Sequence, residues 1–277
     1  MEKIVERIFH RWRLSLWLLA LVACVSKAAE QPLPVLTFGV VPQQSASKLA
    51  KSWQPLISRW AELAGVEIKF ATARDIPTFE QRLAAGAYDI AYMNPYHFTL
   101  FNRTPGYNAL ARAKDKRIEG IMVARQEWQG ALTDLNQLEL AFPAPRAFAA
   151  TIINQSELKQ FGVEFEAKYV GSHDSVYLGV AKGLYRAGGG VARTFNSLAP
   201  EIQSQLKIIH RTQAYTPHAI AVSNTVDPAI HKALSEVIES LNHDATAKQS
   251  FDSLNISGLQ PATDSDWQDI VELNIEL

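Results

Sequence analysis

Two hydrophobic patterns alternate along most of the chain. Short apolar runs rich in β-branched residues, of which Val35 to Val41 is the first, are typical of strands buried on both faces of a parallel sheet. Segments whose apolar residues recur every three or four positions follow these runs and predict helices. The first helix is expected to start after Ser45 and to end at Gly65, with Pro55 kinking or restarting it. Its two tryptophans are interpreted as core residues.

The order strand, helix, strand, helix, strand at the start of the chain predicts a right-handed parallel sheet, and the same pattern recurs in a second unit. The further predicted strands are Val66 to Ala71, Tyr88 to Met93, Tyr107 to Ala113, Ile118 to Ala124, Leu138 to Phe142, Phe165 to Val170, Leu206 to His210 and Ala219 to Val222. Further helices are predicted from Pro77, from Pro95, from Arg146, over Asp174 to Lys182, after Pro228 and over Trp267 to Leu277.

These elements predict an α/β protein of two lobes, each a mainly parallel sheet flanked by helices, with a ligand cleft between them. Residues 36–125 together with 218–277 are expected to form a discontinuous lobe 1, and residues 126–217 a continuous lobe 2. Two crossovers, near 124–127 and 214–219, are expected to act as the hinge.

The first residues differ from the rest of the chain. A basic lead precedes a nearly uninterrupted apolar run, Leu14 to Val25, which predicts a secretory signal peptide over residues 1–28 and a periplasmic protein. Cleavage after Ala28 would remove Cys24, the single cysteine. The segment Leu21 to Cys24 also resembles a lipobox, in which case Cys24 would carry a lipid anchor. Neither alternative leaves a disulfide.

Composition excludes several classes of protein. Of the 277 residues, 47% are hydrophobic and 20% charged, which is ordinary for a folded soluble chain. The formal net charge is −1, and removal of the basic leader makes it more negative, so a nucleic-acid partner is not expected.

Three ordered motifs then indicate a family. They are Phe38 to Ser45, the unit Gly86 to Tyr92 followed by Asn94-Pro95-Tyr96, and Gly171 to Ser175. Together they resemble the periplasmic phosphate-, phosphite- and phosphonate-binding proteins of ABC transporters, over residues from about 36 to at least 242. The resemblance implies a type II periplasmic-binding fold. It also implies a non-enzymatic, monomeric receptor without cofactor or metal, which captures a small oxyanion between its lobes and delivers it to an inner-membrane ABC permease.

The motifs occur where predicted strands end and helices begin, and such ends converge at one edge of an open parallel sheet. Helix N-termini there can hold an oxyanion through unpaired N–H groups. The residues expected to bind ligand are Gln43, Gln44, Ser45, Asp75, Tyr92, Asn94 and Tyr96 from lobe 1, and Arg146, Ala147, Phe148, Thr151, His173, Asp174, Ser175 and Arg186 from lobe 2.

Two positions depart from the resembled family. Its phosphonate binders carry a Ser/Thr-rich turn of the Ser-Thr-Ser-Gly type, whereas Pro145 to Thr151 keeps only the hydroxyl of Thr151. Backbone amides and Arg146 would then hold the anion, and Phe148 would wall an apolar part of the ligand. Relatives that bind amino-phosphonates place an aspartate where this chain has Arg186. An arginine there would favour extra negative charge in the ligand if it faces the cleft, and is otherwise an exposed side chain.

Two alternatives stay open at this point. A receptor of this type can serve a signalling partner instead of a permease, and nothing in the chain separates the two roles. An enzyme on the same fold has less support, because the chain has no nucleophile elbow, phosphate-binding P-loop or His-Glu-x-x-His motif. The seven histidines are scattered, which disfavours a metal site.

Overall fold

The protein was analysed as a computed structural model, which describes residues 33–273 and residue 275. The strands are β1 (Val35–Val40), β2 (Glu67–Ala71), β3 (Ile90–Met93), β4 (Tyr107–Ala113), β5 (Gly120–Arg125), β6 (Leu138–Phe142), β7 (Phe165–Tyr169), β8 (Ala187–Val191), β9 (Leu206–Arg211), β10 (Ala219–Ser223) and β11 (Leu259–Pro261). The α-helices are α1 (Ala46–Ala64), α2 (Ile76–Ala84), α3 (Pro95–Phe101), α4 (Asn154–Gln160), α5 (His173–Ala181), α6 (Ala192–Asn196), α7 (Pro200–Gln203), α8 (Pro228–Glu236), α9 (Ile238–His243), α10 (Ala245–Leu254) and α11 (Gln268–Val271). A π-helical turn spans Phe148–Ile153, and 3₁₀ turns span Leu132–Leu135 and Asp264–Trp267.

Lobe 1 is built on a six-stranded sheet in the order β11-β4-β10-β3-β1-β2. Strand β1 runs parallel to β2 and β3, which confirms the predicted β-α-β-α-β unit. Strand β10 is antiparallel to β3, β4 to β10 and β11 to β4, so the sheet is mixed. Phe38, Gly39 and Val40 are consecutive residues of β1 and all three are buried, as expected for a strand covered on both faces.

Helix α1 is continuous through Pro55, so the predicted restart there is wrong. Pro55 lies on the exposed face of the helix, where water can hydrate the carbonyl that its missing N–H leaves unpaired. Gly65 ends the helix in the left-handed conformation, with φ 68°. Trp53 and Trp60 are buried on the opposite face, which confirms their interpretation as core residues.

Lobe 2 is built on a five-stranded sheet in the order β7-β6-β8-β5-β9. Its central strand, β8, contains three consecutive glycines. A Cβ atom on Gly189 would lie 2.0 Å from the carbonyl oxygen of Ala150, and one on Gly190 would lie 2.1 Å from the hydroxyl of Tyr177. Successive residues of a strand face opposite sides of the sheet, so the π-helical turn packs against the backbone of β8 on one side and helix α5 on the other.

The chain passes between the two sheets twice, through residues 114–119 and 212–218, and Ile118 pairs with Tyr215 where these segments meet. The first passage was predicted near 124–127, with β5 in lobe 1. Strand β5 instead pairs with β8 and β9 in the second sheet, so the chain changes lobe before β5. Apolar periodicity marks a strand but does not show which sheet it joins.

Helix α10 and strand β11 were not predicted, because the first is short and polar on most of its surface and the second has three residues. The predicted final helix over Trp267 to Leu277 is shorter, since α11 ends at Val271. The predicted signal peptide lies outside the described residues. Within residues 33–273, no helix is long and apolar enough to cross a membrane.

Candidate functional site

Residues that follow the carboxyl ends of strands in both lobes line one buried cavity. Its free volume is about 10 Å³, about the space of one water molecule. The lining residues are Val41, Gln43, Ile76, Asn94, Ile118, Ala147, Phe148, Ala149, Ala150, His173, Val191 and His218. Apolar residues of lobe 1 and of the turn in lobe 2 belong to one hydrophobic cluster around it, so the lobes are closed on each other.

The lobe 2 wall of the cavity is the start of the π-helical turn. Thr151 and Ile152 both donate to the carbonyl of Ala147, at 2.7 and 3.3 Å, which gives the turn its wide pitch. The N–H groups of residues 148–150 precede the first intrahelical bonds and have no acceptor within the helix. They are the donors that such a terminus offers to an anion.

Asn154 holds this turn in place from behind. Its side chain is completely buried, and its Nδ2 donates to the carbonyls of Ala149 and Ala150 at 2.9 and 3.1 Å. Gly120 and Gly189 leave room for the same two carbonyls, which would otherwise meet a Cβ atom at 2.3 and 2.0 Å. Because the carbonyls of Ala149 and Ala150 are hydrogen-bonded to Asn154, the N–H groups of the turn are held in a preorganised arrangement.

Two neutral imidazoles face the cavity. Burial lowers the pKa of His173 to about 3, and the nearby positive charge of Arg193 acts in the same direction. Burial also lowers the pKa of His218 well below its ordinary value, again with a contribution from Arg193. Nδ1 of His173 lies 3.2 Å from the hydroxyl of Thr194, so Nε2 is the ring nitrogen that remains for a ligand.

Gln43 connects this group across the lobes. Arg193, from lobe 2, donates to its Oε1, which orients the amide so that Nε2 donates to His218 Nε2 at 3.1 Å. The proton of the neutral His218 ring is therefore on Nδ1. Tyr92 stacks on His218 with ring centroids 4.9 Å apart.

Further polar contacts hold the lobes together around the cavity. Asn94 Nδ2 donates to the carbonyl of Arg146 at 3.0 Å, and the guanidinium of Arg146 lies 3.5 Å from Glu80 of lobe 1. The N–H of His173 donates to the carbonyl of Gln43 at 3.3 Å. These bonds exist only when the lobes are closed, so they contribute to the closed state.

The structure sorts the predicted ligand residues by position. Those that line the cavity are Gln43, Asn94, Ala147, Phe148 and His173. Those that lie in the seam between the lobes are Gln44, bonded to Ser197; Tyr92, stacked on His218; Arg146, paired with Glu80; and Asp174, paired with Lys48. Thr151 lies in the turn with its hydroxyl buried and without a partner in the described residues.

The other predicted residues lie away from the cavity lining. Asp75 caps helix α2 by accepting from the N–H of Thr78 at 2.8 Å. Hydrogen bonds from the Thr78 hydroxyl and from this N–H lower the pKa of Asp75. Tyr96 packs against the lobe 1 core, while Ser45 and Ser175 are exposed. Helix α5 is capped by Ser172, whose side chain accepts from the N–H of Ser175.

Arg186 is not at the cleft. It precedes β8 at the end of lobe 2 opposite the cavity, is exposed, and lies over the ring of Trp128 at 5.5 Å. The arginine that reaches the seam is Arg193, seven positions later at the other end of the strand. It was missed because the glycine run does not look like a strand; a strand over 187–191 would have placed Arg193 at the ligand edge.

Comparison with known proteins agrees with this architecture. A family model described as "ABC transporter, phosphonate, periplasmic substrate-binding protein" matches residues 38–267. The chain belongs to this family. The resemblance seen in the sequence motifs is confirmed, and so is the solute-binding role in ABC transport, since this is a family of transport receptors and not of enzymes. Its members are exported to the periplasm.

The relatives share the fold at low sequence identity. The phosphate-import protein PhnD of Mycolicibacterium smegmatis is 21% identical, covering 88% of this chain and 86% of that protein. The binding protein component of an ABC phosphonate transporter from Pseudomonas aeruginosa has a TM-score of 0.80 at 17% identity, covering 87% and 86%. PhnD1 of Prochlorococcus marinus, solved with methylphosphonate, has a TM-score of 0.79 at 20% identity, covering 87% and 97%. The type II periplasmic-binding fold is thereby confirmed.

Proposed function

We propose that this receptor captures a small oxyanion of the phosphonate, phosphite or phosphate class between its lobes and delivers it, as a monomer and without chemical change, to an inner-membrane ABC permease. The phosphate and methylphosphonate named for two of its relatives belong to this class.

The observation that carries the proposal is the donor set of the cavity. The turn at 148–150 supplies N–H groups without helical acceptors, while Gln43, Asn94, His173 and His218 supply neutral polar side chains. No carboxylate is among the lining residues that the structure describes. Because anions are stabilised by N–H donors and repelled by carboxylates, the cavity favours an oxyanion over a cation.

The closed cavity also determines how a ligand enters. Its free volume is about that of one water molecule, so a tetrahedral oxyanion requires the lobes to separate first. The two segments 114–119 and 212–218 are the only chain passages between the described sheets and are the natural hinge. A ligand that bonds to both lobes shifts the equilibrium toward the closed form by its differential affinity, and the permease would then recognise that form.

The test is calorimetry on the mature protein with phosphate, phosphite, methylphosphonate, sulfate and succinate. We expect binding of at least one phosphorus oxyanion, with stabilisation of about 2.7 kcal/mol at 100 times its Kd. Binding of succinate alone would contradict the proposal. A product assay on the bound ligand should show no turnover, which separates the receptor from an enzyme.

Thr151→Val should separate ligand binding from stability. Thr151 is 1% exposed, and its buried hydroxyl has no hydrogen-bond partner in the described part of the chain. Removing an unsatisfied buried hydroxyl should raise the free energy of unfolding without ligand by about 1 kcal/mol, whereas loss of a neutral hydrogen bond to the ligand should weaken affinity about 2- to 10-fold. Urea unfolding and calorimetry measure the two effects. Unchanged affinity would remove Thr151 from the site.

For export, we propose cleavage after Ala28, which leaves a mature protein without Cys24. Intact mass of the protein purified from the periplasm distinguishes this from the alternative, because a lipid-modified Cys24 would add the mass of its acyl chains and of residues 24–28.

A further inference from the structure

Arg193 lies next to the cavity without being part of its lining. It lies in the first turn of α6, directly after the central strand β8, and is half-buried between the lobes. Within residues 33–273, its guanidinium has one side-chain hydrogen bond, to the amide oxygen of Gln43, and takes part in no ion pair. A partly buried cation that is left with a neutral partner is stabilised further by an anion.

The polar groups that lie beside Arg193 at the cavity are uncharged. Its positive charge lowers the pKa values of His173 and His218, which burial already keeps neutral, so both rings lie close to it. Thr194, the next residue, contacts His173 through its hydroxyl. Arg193 is therefore a positive charge next to the uncharged side chains of Gln43, His173, His218 and Thr194.

A groove of about 450 Å³ extends outward from this point and shares Ile118, Val191 and His218 with the cavity. Besides Arg193, its wall includes the cations Lys116 and Arg117.

The charges along this groove are unbalanced. Glu119 is the carboxylate among its described lining residues, and it is already paired with Arg211. Arg117 is paired with Asp269 at 2.9 Å, while Lys116 has no ion-pair partner within residues 33–273. A substituent that projects from the cavity past Arg193 would therefore meet positive potential.

We propose that Arg193 is a ligand-binding residue of this receptor and that it sets a preference for oxyanions whose substituent is neutral or negatively charged over those that carry an ammonium group. The guanidinium contacts the oxyanion with charge-assisted hydrogen bonds and repels a cationic substituent directed into the groove. This inference rests on the proposed function.

Three phosphonates with substituents of matched length test it by calorimetry: 2-carboxyethyl-, propyl- and 2-aminoethylphosphonate. The wild-type protein is expected to bind the carboxyethyl compound at least about tenfold more tightly than the aminoethyl compound. Arg193→Gln should weaken binding of propylphosphonate about 10- to 100-fold and remove the difference between the two charged compounds. Arg193→Lys keeps the charge but not the planar fork, so it should retain the order at lower affinity.

Arg186→Gln is the matched control, because Arg186 flanks the other end of β8 and is exposed. It should leave all three affinities unchanged, and melting curves should show that every variant folds. Unchanged propylphosphonate affinity in Arg193→Gln would overturn the inference and leave the proposed function intact. An equal loss for all three compounds would overturn the charge preference. If the wild-type protein binds no phosphorus oxyanion, the proposed function fails and the inference fails with it.

Discussion

Replacing Gly189 by alanine should destabilise the protein by about 3 kcal/mol or more and abolish measurable oxyanion binding. The new Cβ would lie 2.0 Å from the carbonyl oxygen of Ala150 and 2.7 Å from the ring of Phe142. Neither the central strand nor the π-helical turn can move without breaking its own backbone bonds, so the turn that supplies the N–H groups would be displaced. Urea unfolding and calorimetry with methylphosphonate measure the two effects.

Gly179→Ala is the control for this substitution. Gly179 lies in the neighbouring helix α5, and its Cβ would meet only the side chain of Tyr185, at 3.0 Å. A ring edge can shift by a few tenths of an ångström, and alanine is the better helix former, so stability should change by less than about 1 kcal/mol. If Gly189→Ala resembles this control in stability and affinity, Gly189 does not position the turn.

The second large effect is expected on acidification. Burial lowers the pKa of an imidazole in the folded protein below its value in the unfolded chain. At a pH between these two pKa values the imidazole is protonated only in the unfolded chain, so protonation favours unfolding. For His173, with a folded pKa of about 3, stability should therefore be unaffected above about pH 6.5 and fall as the pH drops from 6.5 toward 3. At pH 5 the loss from His173 should be about 2 kcal/mol. His218, whose pKa is also lowered by burial, should add to it in the same direction.

Urea unfolding of the ligand-free protein at pH 7 and pH 5 tests this expectation in His173→Gln, which should lose less stability between the two pH values than the wild type. His243→Gln serves as control, because the His243 side chain is 78% exposed and pairs with Glu239 of its own helix. Carboxylates titrate alike in all three proteins, so the difference isolates His173. Equal pH dependence in the wild type and His173→Gln would mean that His173 is charged in the folded state.

Five of the twelve residues that line the cavity were predicted, and their position followed from one rule, that the carboxyl ends of parallel strands meet at one edge. Gln43, Asn94 and His173 each follow a strand whose apolar run is visible in the sequence, and all three line the cavity. Arg186 and Arg193 show where that rule needs more than periodicity. They flank β8, which is made largely of glycine and has no apolar pattern that marks it as a strand. The sequence therefore predicted Arg186, at the end of β8 away from the cavity, as a ligand-binding arginine.

The alternation of strands and helices, the two-lobed α/β class and the family could be predicted from the amino-acid sequence, because buried strands, amphipathic helices and strand-end motifs are properties of neighbouring residues. Three other relations became visible in the folded chain alone. Strand β5 belongs to the second sheet, Asn154, Gly120 and Gly189 position the turn, and Arg193 faces Gln43 across the lobes. These relations join residues distant in the chain. They depend on strand pairing and close packing, and neither can be predicted from local hydrophobic patterns.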